Sequence, residues 1–266
     1  MGTIALFGVG MMGGAILEGL LASETFNDEI VVVEKREERA AELADVYGVK
    51  NLTDEAAAEQ SATILLMVKP QDMSDLLGQI SNYVKPGTLV ISVAAGITTE
   101  LFENKLQTGV SVVRVMPNTP ALVGEGMSVL SAGKNCTKEA LANAEVIMAS
   151  IGKTLIVDES LQNSVTAVSG SGPAYIFYVA EAMIAAGQKL GLSEDAALEL
   201  TVQTIVGAAT MLRDANKSPE TLRQNVTSPN GTTARAIATF DEHKVREAFD
   251  AAMQACHDRS KELSEG

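Results

Sequence analysis

A chain of 266 residues that is 46% hydrophobic and 20% charged is long enough for one large or two ordinary domains, and too apolar to stay disordered. Its formal charge of −14, from 20 basic and 34 acidic residues, argues against a nucleic-acid backbone or an anionic membrane as the main partner, so any anionic ligand needs local capture. Cys136 and Cys256 are too few for a disulfide framework, and His243 and His257 fall in no metal-ligand spacing, so no metal site is expected.

The N-terminal stretch carries the strongest local signal. Ile4 to Phe7 reads as a strand buried on both faces, and Gly8, Gly10 and Gly13 follow at G-x-G-x-x-G spacing before an apolar helical pattern through Leu21. The first glycine permits the strand-to-helix turn, the second lets the backbone approach a pyrophosphate, and the third lets helix and strand pack closely. Free N–H groups and the positive dipole end of the helix then supply an anion site. The stretch lacks a basic leader and is broken by glycines, which sets it apart from a signal peptide. The apolar run 165–187 holds Ser, Gly, Pro and Glu181 and does not read as a membrane span. A soluble, cytoplasmic chain with no membrane partner is expected.

Short apolar runs then alternate with helical patterns. Strands are predicted over Glu29–Glu34, Thr63–Val68, Thr88–Val93 and Ser111–Val115, and helices over Lys35–Tyr47 (stopped by Gly48), over Gln71–Tyr83 and from about Thr98. Met116 to Pro120 reads as a rigid loop, and strands over Gly126–Ser131 and Lys153–Val157 flank a helix over Lys138–Ser150. This order predicts βαβ units in a mostly parallel, doubly wound α/β domain, residues 1–157. Its ligand crevice belongs at the carboxyl ends of the strands, after Phe7, Val33, Val68, Val93 and Val115. Residues 158–266 read as all-helical, with helices over Pro173–Leu190, from Ser193 to about Ala215, over Thr232–Phe240 and over Lys244–Leu263. Gly207-Ala208-Ala209 suggests a close helix crossing. Tyr175, Phe177 and Tyr178 point to several faces, which fits either a subunit interface or a thick monomer core.

Two segments carry chemistry. Glu34 lies 21 residues beyond Gly13, where a carboxylate grips the ribose 2′-hydroxyl of NAD, whereas Lys35, Arg36 and Arg39 suit the 2′-phosphate of NADP. The two signals conflict; the reading leans to NADPH, with NADH the alternative. Further on, Ser228-Pro229-Asn230-Gly231 is turn chemistry ahead of a helix opening at Thr232-Thr233. The N–H groups of Gly231 and Thr232 there form a second anion site sized for a carboxylate, or simply start a capped helix. No histidine, and no lysine of the helical half, sits in a general-acid motif. A substrate that arrives protonated, such as a cyclic iminium, needs only an orienting hydrogen bond from a threonine hydroxyl.

The residues in these segments resemble the pyrroline-5-carboxylate reductase family. The marks are GVGMMGGA from Gly8, VKPQ from Val68, VAAG from Val93, VMPNTP from Val115, SGSGPAY from Ser169 and PETLRQNVTSPNGTTARAIATFD from Pro219. They cover nearly the whole chain in order. The resemblance implies a Rossmann-type domain followed by a helical dimerisation domain that interlocks with its partner, with further assembly into decamers. It implies NAD(P)H-dependent reduction of 1-pyrroline-5-carboxylate to L-proline, the last step of proline biosynthesis. Carried over, Thr233 is the catalytic residue, bonded to the ring nitrogen. Ser228, Gly231 and Thr232 hold the substrate carboxylate. Gly8, Val9, Gly10, Met11, Met12 and Gly13 cradle the pyrophosphate, and Lys35 and Arg36 lie by the adenosine ribose. Val68, Lys69, Pro70, Ala95, Gly96 and Asn118 line the nicotinamide side, and Asn225 touches the cofactor from the helical domain. Asn230 stands where many members have glycine, a place where asparagine tolerates a left-handed backbone. Glu34-Lys35-Arg36 departs from the family's small polar residues or Asn-Arg.

Overall fold

The computed structural model describes residues 2–23 and 26–265, and the chain divides into two compact units, Met1–Ser171 with Cys256–Gly266, and Gly172–Ala255. Among the described residues of the first unit, the strands are β1 (Thr3–Phe7), β2 (Glu29–Val33), β3 (Lys50–Asn51), β4 (Thr63–Leu66), β5 (Leu89–Ser92), β6 (Ser111–Met116), β7 (Gly126–Ala132) and β8 (Gly152–Ile156). They form one sheet in the order β3-β2-β1-β4-β5-β6-β7-β8. Neighbours run parallel except β6 and β7, which are antiparallel. The chain winds outward from β1 to β2 and β3, then returns to place β4 on the other side of β1. That reversal leaves a crevice above β1.

Alternating side chains build a core on each face of the sheet. Ile4, Leu6, Val32, Leu65, Ile91 and Val113 join one apolar cluster, while Ala5, Phe7, Val31, Ile64, Leu66 and Val90 join the other. With both faces covered, the strands are continuous apolar runs, the pattern expected of a parallel sheet. The covering helices are α1 (Met11–Ala22), α2 (Glu37–Tyr47), α3 (Asp54–Gln60), α4 (Pro70–Ile80), α5 (Thr99–Lys105) and α6 (Lys138–Ala149). Sequence periodicity misses β3 and α3, which are only 2 and 7 residues long. Proline explains one shifted boundary: Pro70 occupies the first turn of α4, where its missing N–H costs nothing.

The first compact unit runs on as far as Ser171. Glu159–Leu161, α7 (Gln162–Val165) and a wide turn over Thr166–Gly170 pack with the first unit. The buried Arg114 explains part of this attachment. Its Nη1 lies 3.3 Å from Glu159 Oε1, and the same carboxylate accepts the Thr99 N–H at 2.8 Å and the Thr99 hydroxyl at 2.5 Å. Glu159 thus neutralises a guanidinium inside the sheet and caps the start of α5.

The second unit holds α8 (Gly172–Lys189), α9 (Glu194–Asp214), α10 (Pro219–Asn225), α11 (Thr232–Glu242) and the first part of α12 (Val245–Glu265), whose residues from Cys256 belong to the first unit. Ser193 caps α9 by accepting the Ala196 N–H at 3.3 Å, as its position before Glu194-Asp195 predicts. The close α8–α9 approach falls at Gly187, where an added Cβ would lie 3.2 Å from the Ala197 Cβ, and not at Gly207, whose face is open. Among the described residues of this unit only Ala197 and Thr201 are buried. Phe177 is 62% exposed and Tyr178 74%, and a groove of about 860 Å³ is lined by Tyr178, Met183, Phe240, Phe249 and Met253. The thick monomer core that the aromatic residues could have built does not form; these helices need apolar cover from outside the unit.

Glu159→Ala, which strands the buried Arg114 and uncaps α5, is expected to lower stability by about 3 kcal/mol, read as a drop in urea midpoint at fixed protein concentration. Phe249→Glu is expected to shift the protein toward monomer in sedimentation velocity, because a charge in that groove opposes apolar cover.

Candidate functional site

The carboxyl ends of β1, β2 and β4 open into a cleft of about 740 Å³, at the topological reversal. Gly8 starts it with φ +84°, a left-handed conformation that favours glycine, and its N–H donates to the Val33 carbonyl at 3.0 Å. Gly13 serves packing: a Cβ there would lie 2.8 Å from the Gly8 carbonyl oxygen and 3.1 Å from Met67 Cε. Gly10 is different. Its φ of −77° is ordinary, and a Cβ added to it would meet nothing within 4 Å. The fold makes no steric demand for glycine here. Gly10 also gives α1 no side-chain cap, and the first turn of α1 carries no acidic residue. Bare N–H donors at a helix start beside open space fit a pyrophosphate.

Of the residues assigned to the cofactor, Gly8, Gly10, Lys35, Arg36, Val68 and Lys69 line this cleft together. Val9 is fully buried and Met12 packs against the same core cluster, so their side chains belong to the fold, whereas Met11 is exposed. Pro70 opens α4, and Ala95 is exposed. Gly96, at φ +76°, is pressed against the C-terminal helix, where a Cβ would lie 2.9 Å from the Leu263 carbonyl oxygen. Asn118 has its amide committed: Nδ2 donates to the Ser169 carbonyl at 3.2 Å and Oδ1 accepts the Met127 N–H at 2.8 Å. Its geometry is that of a bracket between the loop after β6, β7 and the turn over 166–170.

The charged residues after β2 are not free. Arg36 donates to Glu34 from Nε at 3.0 Å, from Nη2 at 3.1 Å and from its backbone N–H at 3.0 Å. Hydrogen bonds from that guanidinium hold the Glu34 carboxyl below its ordinary range against partial burial, and the Val9 N–H adds to the effect. Lys35 Nζ lies 3.5 Å from Asp54 Oδ2. Arg39 is used by the fold, with Nε 3.4 Å from the Val9 carbonyl and Nη1 2.8 Å from Glu42. Asp54, Asp72, Asp75 and Gln79 also line the cleft. Sequence reasoning passes over them; for Asp54 the one signal is the Thr53-Asp54 pair, where Thr53 caps α3 by accepting the Ala56 N–H at 3.3 Å.

The second anion site lies in the second unit. Asn230 takes φ +59°, the left-handed conformation expected of it, and Gly231 precedes α11 with no side-chain cap. The Gly231 N–H is spent inside the turn, donated to the Ser228 carbonyl at 3.1 Å. Donors for a carboxylate therefore begin at Thr232. Ser228, Thr232 and Asn225 are exposed, and Thr233 is half-buried.

A doubly wound domain with an uncapped glycine turn at its switch point, joined to a helical unit without a core of its own, defines a dinucleotide-dependent oxidoreductase with a helical dimerisation domain. The family profile for pyrroline-5-carboxylate reductase dimerisation matches residues 159–263, and that for NADP oxidoreductases, coenzyme F420-dependent, matches residues 3–96. The pyrroline-5-carboxylate reductase of Corynebacterium melassecola is 43% identical over 99% of both chains. A solved pyrroline-5-carboxylate reductase from Coxiella burnetii superposes with a TM-score of 0.94 at 36% identity, covering 99% of this chain and 98% of that one. The Plasmodium falciparum pyrroline carboxylate reductase, solved with NADP bound, gives 0.87 at 27% identity, with 99% and 98% covered. The chain belongs to the pyrroline-5-carboxylate reductase family.

Two glycines separate fold from binding. Gly10→Ser is expected to keep or slightly raise the melting temperature, since serine is a good N-cap, yet to weaken dinucleotide binding about tenfold by filling the cradle. Gly13→Ala is expected to cost about 1–3 kcal/mol of stability by overpacking, visible in the same thermal melt.

Proposed function

We propose that this chain reduces the C=N bond of 1-pyrroline-5-carboxylate to give L-proline, with NADPH as hydride donor and NADH as the alternative. Family membership over the whole chain supports the oxidoreductase class and the substrate. The uncapped start of α1, opening into the cleft at the carboxyl ends of β1, β2 and β4, is the observation that carries the dinucleotide part. The NADP family profile over residues 3–96 and the NADP held by the Plasmodium relative support the phosphorylated form.

In this reading the first-turn N–H groups of α1 hold the pyrophosphate, and Lys35 and Arg36 lie at the ribose. Nicotinamide, when bound, supplies a hydride to ring C5 while the nitrogen keeps the proton it arrived with, so that an iminium becomes a secondary amine. The Ser228 hydroxyl and the Thr232 N–H hold the substrate carboxylate, and Gly231 shapes the turn that presents them. Thr233 Oγ accepts the ring N–H and fixes the ring's orientation. Because the nitrogen is already protonated, the chain needs no histidine or lysine acid, and positioning carries the catalysis.

Uncovered apolar helices in the second unit and the dimerisation profile support self-association. An interlocked dimer, assembling further into a decamer, is the proposed form, and the cytoplasm the proposed compartment. Among the described residues no helix is long and apolar enough to cross a membrane.

The test is the loss of NADPH absorbance on adding 1-pyrroline-5-carboxylate. Thr233→Ala is expected to lower kcat/KM about 10- to 100-fold, the worth of a hydrogen bond to a charged group, with NADPH affinity unchanged. Thr233→Ser should recover most of the loss. Full turnover in the alanine variant would remove the hydroxyl from the mechanism.

A further inference from the structure

We propose that the C-terminal end of α12, residues 256–265, braces the loop after β5 and thereby positions the nicotinamide end of the dinucleotide. The inference rests on the dinucleotide reading of the cleft and adds positioning residues to it.

The sheet order places β2 on one side of β1, and β4 and β5 on the other. A dinucleotide with its pyrophosphate at α1 and its adenosine at the end of β2 lays its other half across the ends of β4 and β5. The loop leaving β5, which opens with Ala94-Ala95-Gly96, is then the floor beneath the reacting ring. Such short side chains fix little by themselves. At the start of the loop, the Val93 N–H donates to the Leu66 carbonyl at 3.1 Å and the Ala94 N–H to Ser92 Oγ at 3.3 Å. At its far end Glu159 accepts the Thr99 N–H at 2.8 Å. Between these anchors the support comes from α12. A Cβ added to Gly96 would stand 2.9 Å from the Leu263 carbonyl oxygen and 3.2 Å from its carbon. The contact is chiefly main chain against main chain, since the Leu263 side chain is exposed.

Small polar side chains hold the helix end in that place. Ser260 is buried, and its Oγ donates to Asn163 Oδ1 at 2.9 Å. One turn earlier Cys256 Sγ donates to Ser171 Oγ at 3.3 Å. One turn later Ser264 shares a cavity of about 810 Å³ with Asn163, Thr98 and Thr99. The i, i+4 spacing of Cys256, Ser260 and Ser264 puts all three on one face, while Arg259, Lys261 and Glu262 are exposed. A face that built core would be apolar; this one supplies direction and register. Misplacing a reacting carbon by about 1 Å costs on the order of a hundredfold in rate, so a loop with so few anchors makes hydride transfer depend on this helix end.

Ser260→Lys in the full-length protein tests this, because a long charged side chain has no room at that buried position and lifts the helix end. Asn163→Ala removes the acceptor without adding bulk and serves should the lysine variant not fold. Isothermal titration compares NADPH with 2′-phospho-ADP-ribose, the same molecule without its nicotinamide. The Kd of the fragment is expected to stay within about twofold, while the Kd of NADPH rises about threefold or more. Hydrogen exchange over residues 93–98 is expected to quicken, and single-turnover oxidation of NADPH by 1-pyrroline-5-carboxylate to slow about tenfold. An unchanged ratio of the two Kd values overturns the inference: if both hold, the loop is independent of α12, and if both fall off together, the helix end supports the fold in general. Failure of the underlying reading has a different signature, since neither ligand then shows saturable binding to the unaltered protein.

Discussion

The contact on which the first unit depends is the approach of α1 to the ends of β1 and β4. Gly13 lets the helix start lie against the Gly8 carbonyl and the Met67 side chain, at distances no side chain would allow. Once the helix is seated there, its uncapped N-terminus opens over the point where the sheet reverses direction, and the space at Gly10 follows. Strand order, helix dipole and cradle are thus one feature seen at three scales. The fold demands glycine at Gly8 and Gly13 but not at Gly10, although a motif-level reading treats the three alike.

Electrostatics constrain the site as firmly as sterics. A chain with a net charge of −14 cannot attract a dinucleotide through its overall field, so capture falls to local N–H groups and a few cations. Those cations are themselves tethered, Arg36 to Glu34, Lys35 to Asp54 and Arg39 to Glu42. With these partners in place, the positive charge after β2 is largely offset by carboxylates.

The second unit poses a different physical problem. Its helices follow the expected caps and turns, yet almost no side chain is buried within it. Helices of this kind gain most of their stability from packing an apolar face, so an unaccompanied copy lacks the main term that holds helices together. Self-association then supplies much of the packing that stabilises these helices. The turn at 228–233, to which the proposed function assigns the substrate carboxylate, sits in this same unit.

Much of this was readable in the residues because the signals are local. A buried parallel strand announces itself by a continuous apolar run, a helix start by Ser193 ahead of Glu194-Asp195, a left-handed turn by Asn230-Gly231. The glycine spacing and the turn before α11 pointed to two candidate anion sites for the same reason: turn geometry and bare N–H donors belong to a few consecutive residues. Short elements such as β3 and α3 escaped, since too few residues repeat to establish a period. What only the tertiary structure decided are the pairings between distant residues. Asp54 meets Lys35, Glu159 meets Arg114 and Thr99, Asn118 is drawn into bracing Met127 and Ser169, and residues from Cys256 leave the helical unit to join the first one. Sequence separation says nothing about such contacts, because each is fixed by how whole elements pack and not by the preferences of the residues that make it.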